Sequence, residues 1–320
     1  DGFAPKLTVG EGNYFYGCRA WKNCDDGWDG YLRDANDVST TLENCWAFEN
    51  GYLEDGSDPG AAANGNGFKM GGSDDKTLMH NFTLKNCLAF KNKAKGFDQN
   101  NNKGSMILYN CTGHNNIVAD YRITQTLAAG KVLIVKNSID LGKTPELGAF
   151  AVQEKNGWMS PFLTSAADFL SIDESSAYGP RKANGELPDI DYMHLAEGSD
   201  LIDAGVDVGL PYAGTLPDLG CFESGVTGIE KTSLLRELKI YPNPVKDRGL
   251  LEFTLESGGI CRISVFDMTG RLIETMAERE LGPGKHQMDL DVSGLDEGIY
   301  IFLIRFDNIE AAAVKILKYK

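Results

Sequence analysis

The sequence predicts an all-β protein, a parallel β-helix followed by a small C-terminal β-sandwich. Three observations predict it. A short motif, Cys-x-small-large-x-Asn, recurs through the first 140 residues. Glycine is abundant at 37 of 320 residues, and asparagine crowds the region before residue 120, as turn-dense strand proteins require. From residue 238 onward the pattern changes to seven short alternating stretches at regular spacing.

The repeat decides the architecture. Its copies are Cys18-Arg-Ala-Trp-Lys-Asn23, Cys45-Trp-Ala-Phe-Glu-Asn50, Cys87-Leu-Ala-Phe-Lys-Asn92 and Cys111-Thr-Gly-His-Asn-Asn116, with Ser138 in the cysteine position of a fifth. The cysteines lie 27, 42 and 24 residues apart. Each copy follows a strand-like stretch such as Phe82-Thr-Leu-Lys-Asn86 or Met106-Ile-Leu-Tyr-Asn110. So short a unit cannot bury a hydrophobic face alone, but stacked copies can. Strands and turns without helical periodicity select a parallel β-helix, with coils about 4.8 Å apart. The cysteines then form an inward column and the asparagines an amide ladder, both structural and without disulfides.

A Gly-aromatic pair marks the register of a third column. It reads Ala4, Asp29, Lys69, Asp98, Arg122, and the column before the glycine reads Asp1, Asp26, Asn66, Lys95, Ala119. A structural ladder repeats like residues; these columns change sign between neighbouring coils, which marks a site. Asp25, Asp26 and Asp29 bracket Gly27-Trp28, and Asp1 stacks beside Asp26. Four such carboxylates repel one another unless a cation binds them, and hard, flexible oxygen ligands suit Ca²⁺. The expected metal ligands are Asp1, Asp25, Asp26 and Asp29. Lys69, in the glycine-dense Gly65-Asn-Gly-Phe-Lys-Met-Gly-Gly72, is one rung away and is the candidate general base. Lys91, Lys93, Lys95 and Arg122 follow on the next coils. Lys93, Lys95 and Arg122 are candidate contacts for an anionic polymer, although solvation of an exposed turn explains such charges equally well. His80 and His114 receive no role, since His114 takes the large-residue position of the repeat. No Gly-x-Ser-x-Gly, zinc spacing or phosphate loop is present.

At these residues the chain resembles the family 9 polysaccharide lyases, right-handed parallel β-helices typified by pectate lyases. The resemblance rests on Asp1-Gly-Phe-Ala-Pro-Lys-Leu-Thr-Val-Gly-Glu-Gly-Asn13, on residues 18–29 and on 65–72. It extends to about residue 225 through Asp203-Ala-Gly-Val-Asp-Val-Gly-Leu-Pro211 and Pro217-Asp-Leu-Gly-Cys-Phe-Glu223. It implies calcium on Asp1, Asp25, Asp26 and Asp29, and a lysine base at Lys69. The expected reaction is calcium-dependent β-elimination of a uronate polymer, most simply pectate or polygalacturonate. Two other classes compete. A secreted, non-catalytic glycan-binding or adhesin β-helix accounts for the solenoid and even a calcium site, but leaves Lys69 unexplained. A hydrolase needs carboxylates set apart across the bond, and Asp25 and Asp26 are adjacent.

Residues 150–225 lose the repeat and are expected to form an irregular cap, with a short helix within Phe162–Leu170. Residues 226–237, beginning near Ser224-Gly-Val-Thr-Gly-Ile-Glu-Lys231, read as a linker. Residues 238–320 read as the sandwich, with a turn at Met268-Thr-Gly270. Tyr241-Pro-Asn-Pro244, Phe266-Asp-x-x-Gly-Arg271, Leu295-Asp-Glu-Gly-Ile-Tyr300 and the basic end resemble the type IX secretion C-terminal sorting domain. That implies the type IX machinery as a partner and a secreted or surface-attached protein of a Gram-negative cell. Asp1 opens abruptly inside the repeat, so the chain is read as a fragment lacking its targeting segment and early coils. A net charge of −15 excludes a nucleic-acid partner, and no apolar run approaches 18 residues. A monomer is expected.

Overall fold

The computed structural model describes residues 1–61, 63–224, 235–255, 258–267, 272–306 and 309–319. Most of the expected linker and the turn at Met268–Gly270 lie outside the described residues. The chain forms two compact units, Asp1–Val226 and Thr227–Lys320.

The first unit is a parallel β-helix of three sheets. The first sheet stacks Asn13–Tyr16, Val38–Glu43, His80–Lys85, Met106–Tyr109, Leu133–Lys136 and Val152–Glu154 in that order. The second stacks Arg19–Trp21, Trp46–Phe48, Leu88–Phe90, Thr112–His114 and Ile139–Leu141, and the third Trp28–Asp29, Phe68–Lys69, Lys95–Asp98, Ala119–Ile123 and Glu146–Leu147. All of these pairings are parallel.

The repeat dictates the corners. The residue before each cysteine position is Gly17, Asn44, Asn86, Asn110 or Asn137, every one with φ between 50° and 60°. Glycine and asparagine tolerate this left-handed turn best, so the chain bends there from the first sheet into the second. At the next corner the ladder asparagines hand amides from coil to coil. Asn23 Nδ2 donates to Asn50 Oδ1 (2.8 Å), Asn50 to Asn92 (2.8 Å), Asn92 to Asn116 (2.7 Å), and Asn116 to Asp120 Oδ1 (2.6 Å). Gly27 is needed beside this ladder: a Cβ there would stand 2.6 Å from the Gly67 carbonyl oxygen and 2.8 Å from Asn50 Nδ2. Cys45, Cys87 and Cys111 are buried, and all seven cysteines are free thiols.

The core is layered as the alternation demands. Phe3, Trp28, Phe68, Phe97 and Tyr121 stack as one inward column, with centroids 4.7–5.2 Å apart. Trp158 packs on Tyr121 at the far end, 5.4 Å away. The segment expected as a cap therefore divides. Its start, through Trp158, closes the stack, whereas later residues run along the flank of the second sheet. Tyr178 packs on Trp21 and Phe48, and Tyr192 on Phe90. The second sheet carries large apolar residues on its outer face (Phe48, Phe90), and the segment keeps them from water. In place of the helix expected within 162–170, only a 3₁₀ turn forms at Ala166–Asp168; a second spans Glu174–Tyr178.

The second unit has two antiparallel sheets. One joins Leu235–Tyr241, Arg248–Leu255 and Gly284–Asp291; the other orders Leu272–Leu281, Gly259–Asp267, Gly298–Phe306 and Ile309–Lys318. Leu251, Phe253 and Leu255 of the first share one core with Ile263, Val265, Phe302 and Ile304 of the second, which makes a small sandwich.

Candidate functional site

The site lies on the outer face of the third sheet, opposite the aromatic stack. Because successive residues of a strand face opposite ways, burying Trp28 and Phe68 turns Asp29 and Lys69 outward. Register places Asp29 beside Lys69, Lys69 beside Asp98, Asp98 beside Arg122 and Arg122 beside Glu146. The expected column therefore holds from Asp29 to Arg122 and gains Glu146 as a sixth member, with charge alternating at every rung from Asp29 onward.

Lys69 points into the aspartate bend. Its Nζ is 3.1 Å from Asp26 Oδ2 and 3.2 Å from Asp29 Oδ1, and its side chain is 10% exposed. The Tyr31 ring flanks the ammonium, with its centroid at 5.6 Å. Asp26 is fully buried. Its Oδ1 accepts from the Asn66 backbone N–H (2.8 Å) and side-chain amide (2.9 Å), while Oδ2 has no hydrogen bond despite the ion-pair contact. Asp29 Oδ1 also accepts from the Tyr31 N–H (3.0 Å), and its Oδ2 meets Lys6 Nζ at 3.0 Å. Asp25 Oδ1 accepts from the Asn64 N–H (2.7 Å), so residues 51–65, which lengthen the coil between Cys45 and Cys87, reach the site. Lys6 Nζ contacts Asp1 Oδ2 at 2.5 Å.

These surroundings set the protonation. Burial raises the Asp26 carboxyl and outweighs the opposing pull of Lys69 and the Asn66 N–H. Burial also raises Asp29, but there Lys69, Lys6 and the Tyr31 N–H win, and the net direction is down. For Lys69, burial pushes down while Asp26 and Asp29 push up, and the carboxylates prevail.

Asp1, Asp25 and Asp26 each offer a carboxylate oxygen, all within 4.8 Å of one another. An all-oxygen donor set of three converging carboxylates fits a hard divalent cation. Asp29 stands outside this close group; its oxygens are held by Lys69, Lys6 and Tyr31. The expected polymer contacts are all paired: Lys93 with Asp58, Lys95 with Asp98 at 3.0 Å, and Arg122 bidentately with Glu146 at 2.6 and 2.7 Å. Lys91 leaves the track altogether and pairs with Glu174 in the flanking segment. His80 is buried between the Gly30 carbonyl and Thr40 Oγ1, and His114 bonds the Tyr192 hydroxyl at 2.8 Å; both are packing residues.

Residues 1–137 match a family described as the Pel9A-like right-handed β-helix region. The resemblance to the family 9 lyases holds. Residues 239–318 match the secretion system C-terminal sorting domain, so the chain carries a type IX export signal and is secreted or held at the cell surface. Pectate lyase L of Dickeya chrysanthemi is 39% identical over 224 residues, covering 70% of this chain and 51% of that one. Pectate lyase L of Paenibacillus polymyxa is 36% identical over 220 residues, covering 65% and 46%. The crystal structure of pectate lyase Pel9A superposes with a TM-score of 0.63 at 38% identity, covering 70% of this chain and 54% of that one. The chain thus spans about half the length of the curated relatives it matches.

Sequence reasoning missed Lys6, Tyr31 and Asn66. Only Asn66 had a signal, since it stands in the column of Asp26. The other two arrive through turns that no repeat encodes.

Proposed function

We propose that the chain is a calcium-dependent polysaccharide lyase that cleaves a uronate polymer, pectate or polygalacturonate, by β-elimination with Lys69 as base. The observation carrying this reading is the close approach of Lys69 Nζ to Asp26 beside the Asp1, Asp25 and Asp26 oxygens. Similarity to several pectate lyases supports the reaction class.

Asp1, Asp25 and Asp26 would hold the cation, with Asp29 at their edge. Calcium bound there supplies charge neutralisation at the uronate carboxylate, which acidifies the neighbouring C5–H. Lys69 takes that proton on Nζ. The C4–C5 double bond forms as the C4–O4 bond breaks, and O4 leaves with a proton from water. The base must be neutral for this. Two carboxylates hold Lys69 protonated; once Asp26 is engaged elsewhere, burial weighs more and favours the amine. The aspartates thus serve two ends, binding cation and setting the charge of the base. Lys93, Lys95 and Arg122 would meet the polymer only by exchanging their present carboxylate partners for substrate carboxylates.

The test is incubation of the full chain with polygalacturonate, with and without chelator. The ultraviolet absorbance of an unsaturated product should appear with calcium and vanish with chelator. Lys69→Ala should lower the rate by about 10²–10⁴-fold, the range for loss of a general base. Reducing ends without that absorbance would indicate hydrolysis, and binding without either would indicate a lectin-like role.

A further inference from the structure

The acidic cluster is already engaged by a second lysine. Lys6 Nζ contacts Asp1 Oδ2 at 2.5 Å and Asp29 Oδ2 at 3.0 Å. With Lys69 it completes an unbroken chain of ion pairs, Asp1–Lys6–Asp29–Lys69–Asp26. The backbone holds Lys6 there. The Gly2 and Phe3 N–H groups donate to the Gly27 carbonyl, the Lys6 N–H donates to the Ala4 carbonyl, and Leu7 turns with φ 61° to donate to Tyr31. The Lys6 side chain is 29% exposed, so the ammonium sits at the rim of the cluster. Asp29 does not depend on it, having Lys69 and the Tyr31 N–H as other partners.

We propose that Lys6 is a built-in competitor for the cation, a positioning residue that occupies Asp1 and so sets the divalent concentration at which the cluster loads. This rests on the calcium reading above. A divalent ion among Asp1, Asp25 and Asp26 must share the Asp1 carboxylate with Lys6 or displace it, and it meets the repulsion of the ammonium paired with that carboxylate. The opposite role, a prop holding Asp1 in place for metal, predicts the opposite sign.

Calcium titration of the chelator-treated full chain by calorimetry, at fixed pH and ionic strength, separates the two. Lys6→Met keeps the length and removes the charge, Lys6→Gln repeats the test with a polar tip, and Lys6→Arg keeps the charge. Arg33→Met, on an exposed arginine paired with Asp74, measures the general effect of losing one positive charge. Lys6→Met and Lys6→Gln should bind calcium about tenfold more tightly, Lys6→Arg should stay near wild type, and Arg33→Met should change affinity far less. Affinity that is unchanged or weaker in Lys6→Met, or tightened no more than in Arg33→Met, overturns the inference and leaves the calcium reading intact. Loss of cooperative melting in both neutral variants also overturns it, since Lys6 would then be structural. No calcium binding by wild type or any variant overturns the calcium reading, and this inference with it.

Discussion

At the scale of single residues, the charge of Lys69 is the quantity that matters. Its amine is pushed up by Asp26 and Asp29 against the effect of burial. On the proposed mechanism the working form is neutral, so activity should rise with pH. Higher calcium should move that rise to lower pH by relieving the carboxylate pull; kcat/KM profiles at two calcium concentrations would check this, and a rise that ignores calcium would contradict the coupling. His80 offers a second pH effect, on stability. Burial lowers it to about 4 from an ordinary 6.5. Between those values the unfolded chain takes up a proton that the folded chain refuses, so stability is lost as pH falls from about 6.5 towards 4. The slope limit is about 1.4 kcal/mol per pH unit. His80→Gln should flatten this limb in denaturant titrations at pH 7 and pH 5. The pairing of Asp29 with Lys69 was legible in the sequence because the Gly-aromatic mark fixes register, and neighbours in a column must touch. Lys6 was not, because its place depends on the left-handed turn at Leu7, which lies outside the repeat.

At the scale of elements, the asparagine ladder joins the coils. Asn92 sits in its middle: its Oδ1 accepts from the Asn50 backbone and side chain, and its Nδ2 donates to Asn116 Oδ1 and to the Ala47 carbonyl. Asn92→Ala strands several buried polar groups and should cost about 2–4 kcal/mol, while Asn23→Ala, at the half-buried end, should cost less. Chemical denaturation of both variants would check the order. The ladder ends on Asp120, whose buried carboxyl lies against that of Asp140. Burial and then the Asp120 charge push Asp140 well up. A carboxyl held protonated in the fold and ionised in the unfolded chain weakens the fold as pH rises above about 3.9. Asp140→Asn should therefore raise the melting temperature at pH 7, and a lower one would show that the shared acid pair is needed. Coils and corners were readable because each repeats a local device. The path of residues 162–222 along the flank was not, since it answers to apolar residues on distant strands.

At the scale of the molecule, two units carry two tasks. The charged and acidic groups assigned to chemistry all lie in the first, and the export signal occupies the second. A chain ended after residue 226 should keep the melting transition of the first unit and the calcium-dependent activity proposed for it, which calorimetry and the absorbance assay would check; loss of both would make the second unit part of the fold's stability. The division was legible as a change in composition near residue 224, and the seven strands as alternation. The long coil between Cys45 and Cys87 carries residues 51–65 as an excursion. Gly51 and Gly65 bring the two ends of its insertion together: a Cβ on Gly51 would stand 2.6 Å from the Gly65 Cα. Asn50 meanwhile hands its amide straight to Asn92, as though the intervening stretch did not exist. The excursion is a pendant on a closed stem, so its length is uncoupled from the stacking. Lineages or engineers can lengthen, trim or exchange it to reshape the rim above Asp25 while the tower beneath stays as built.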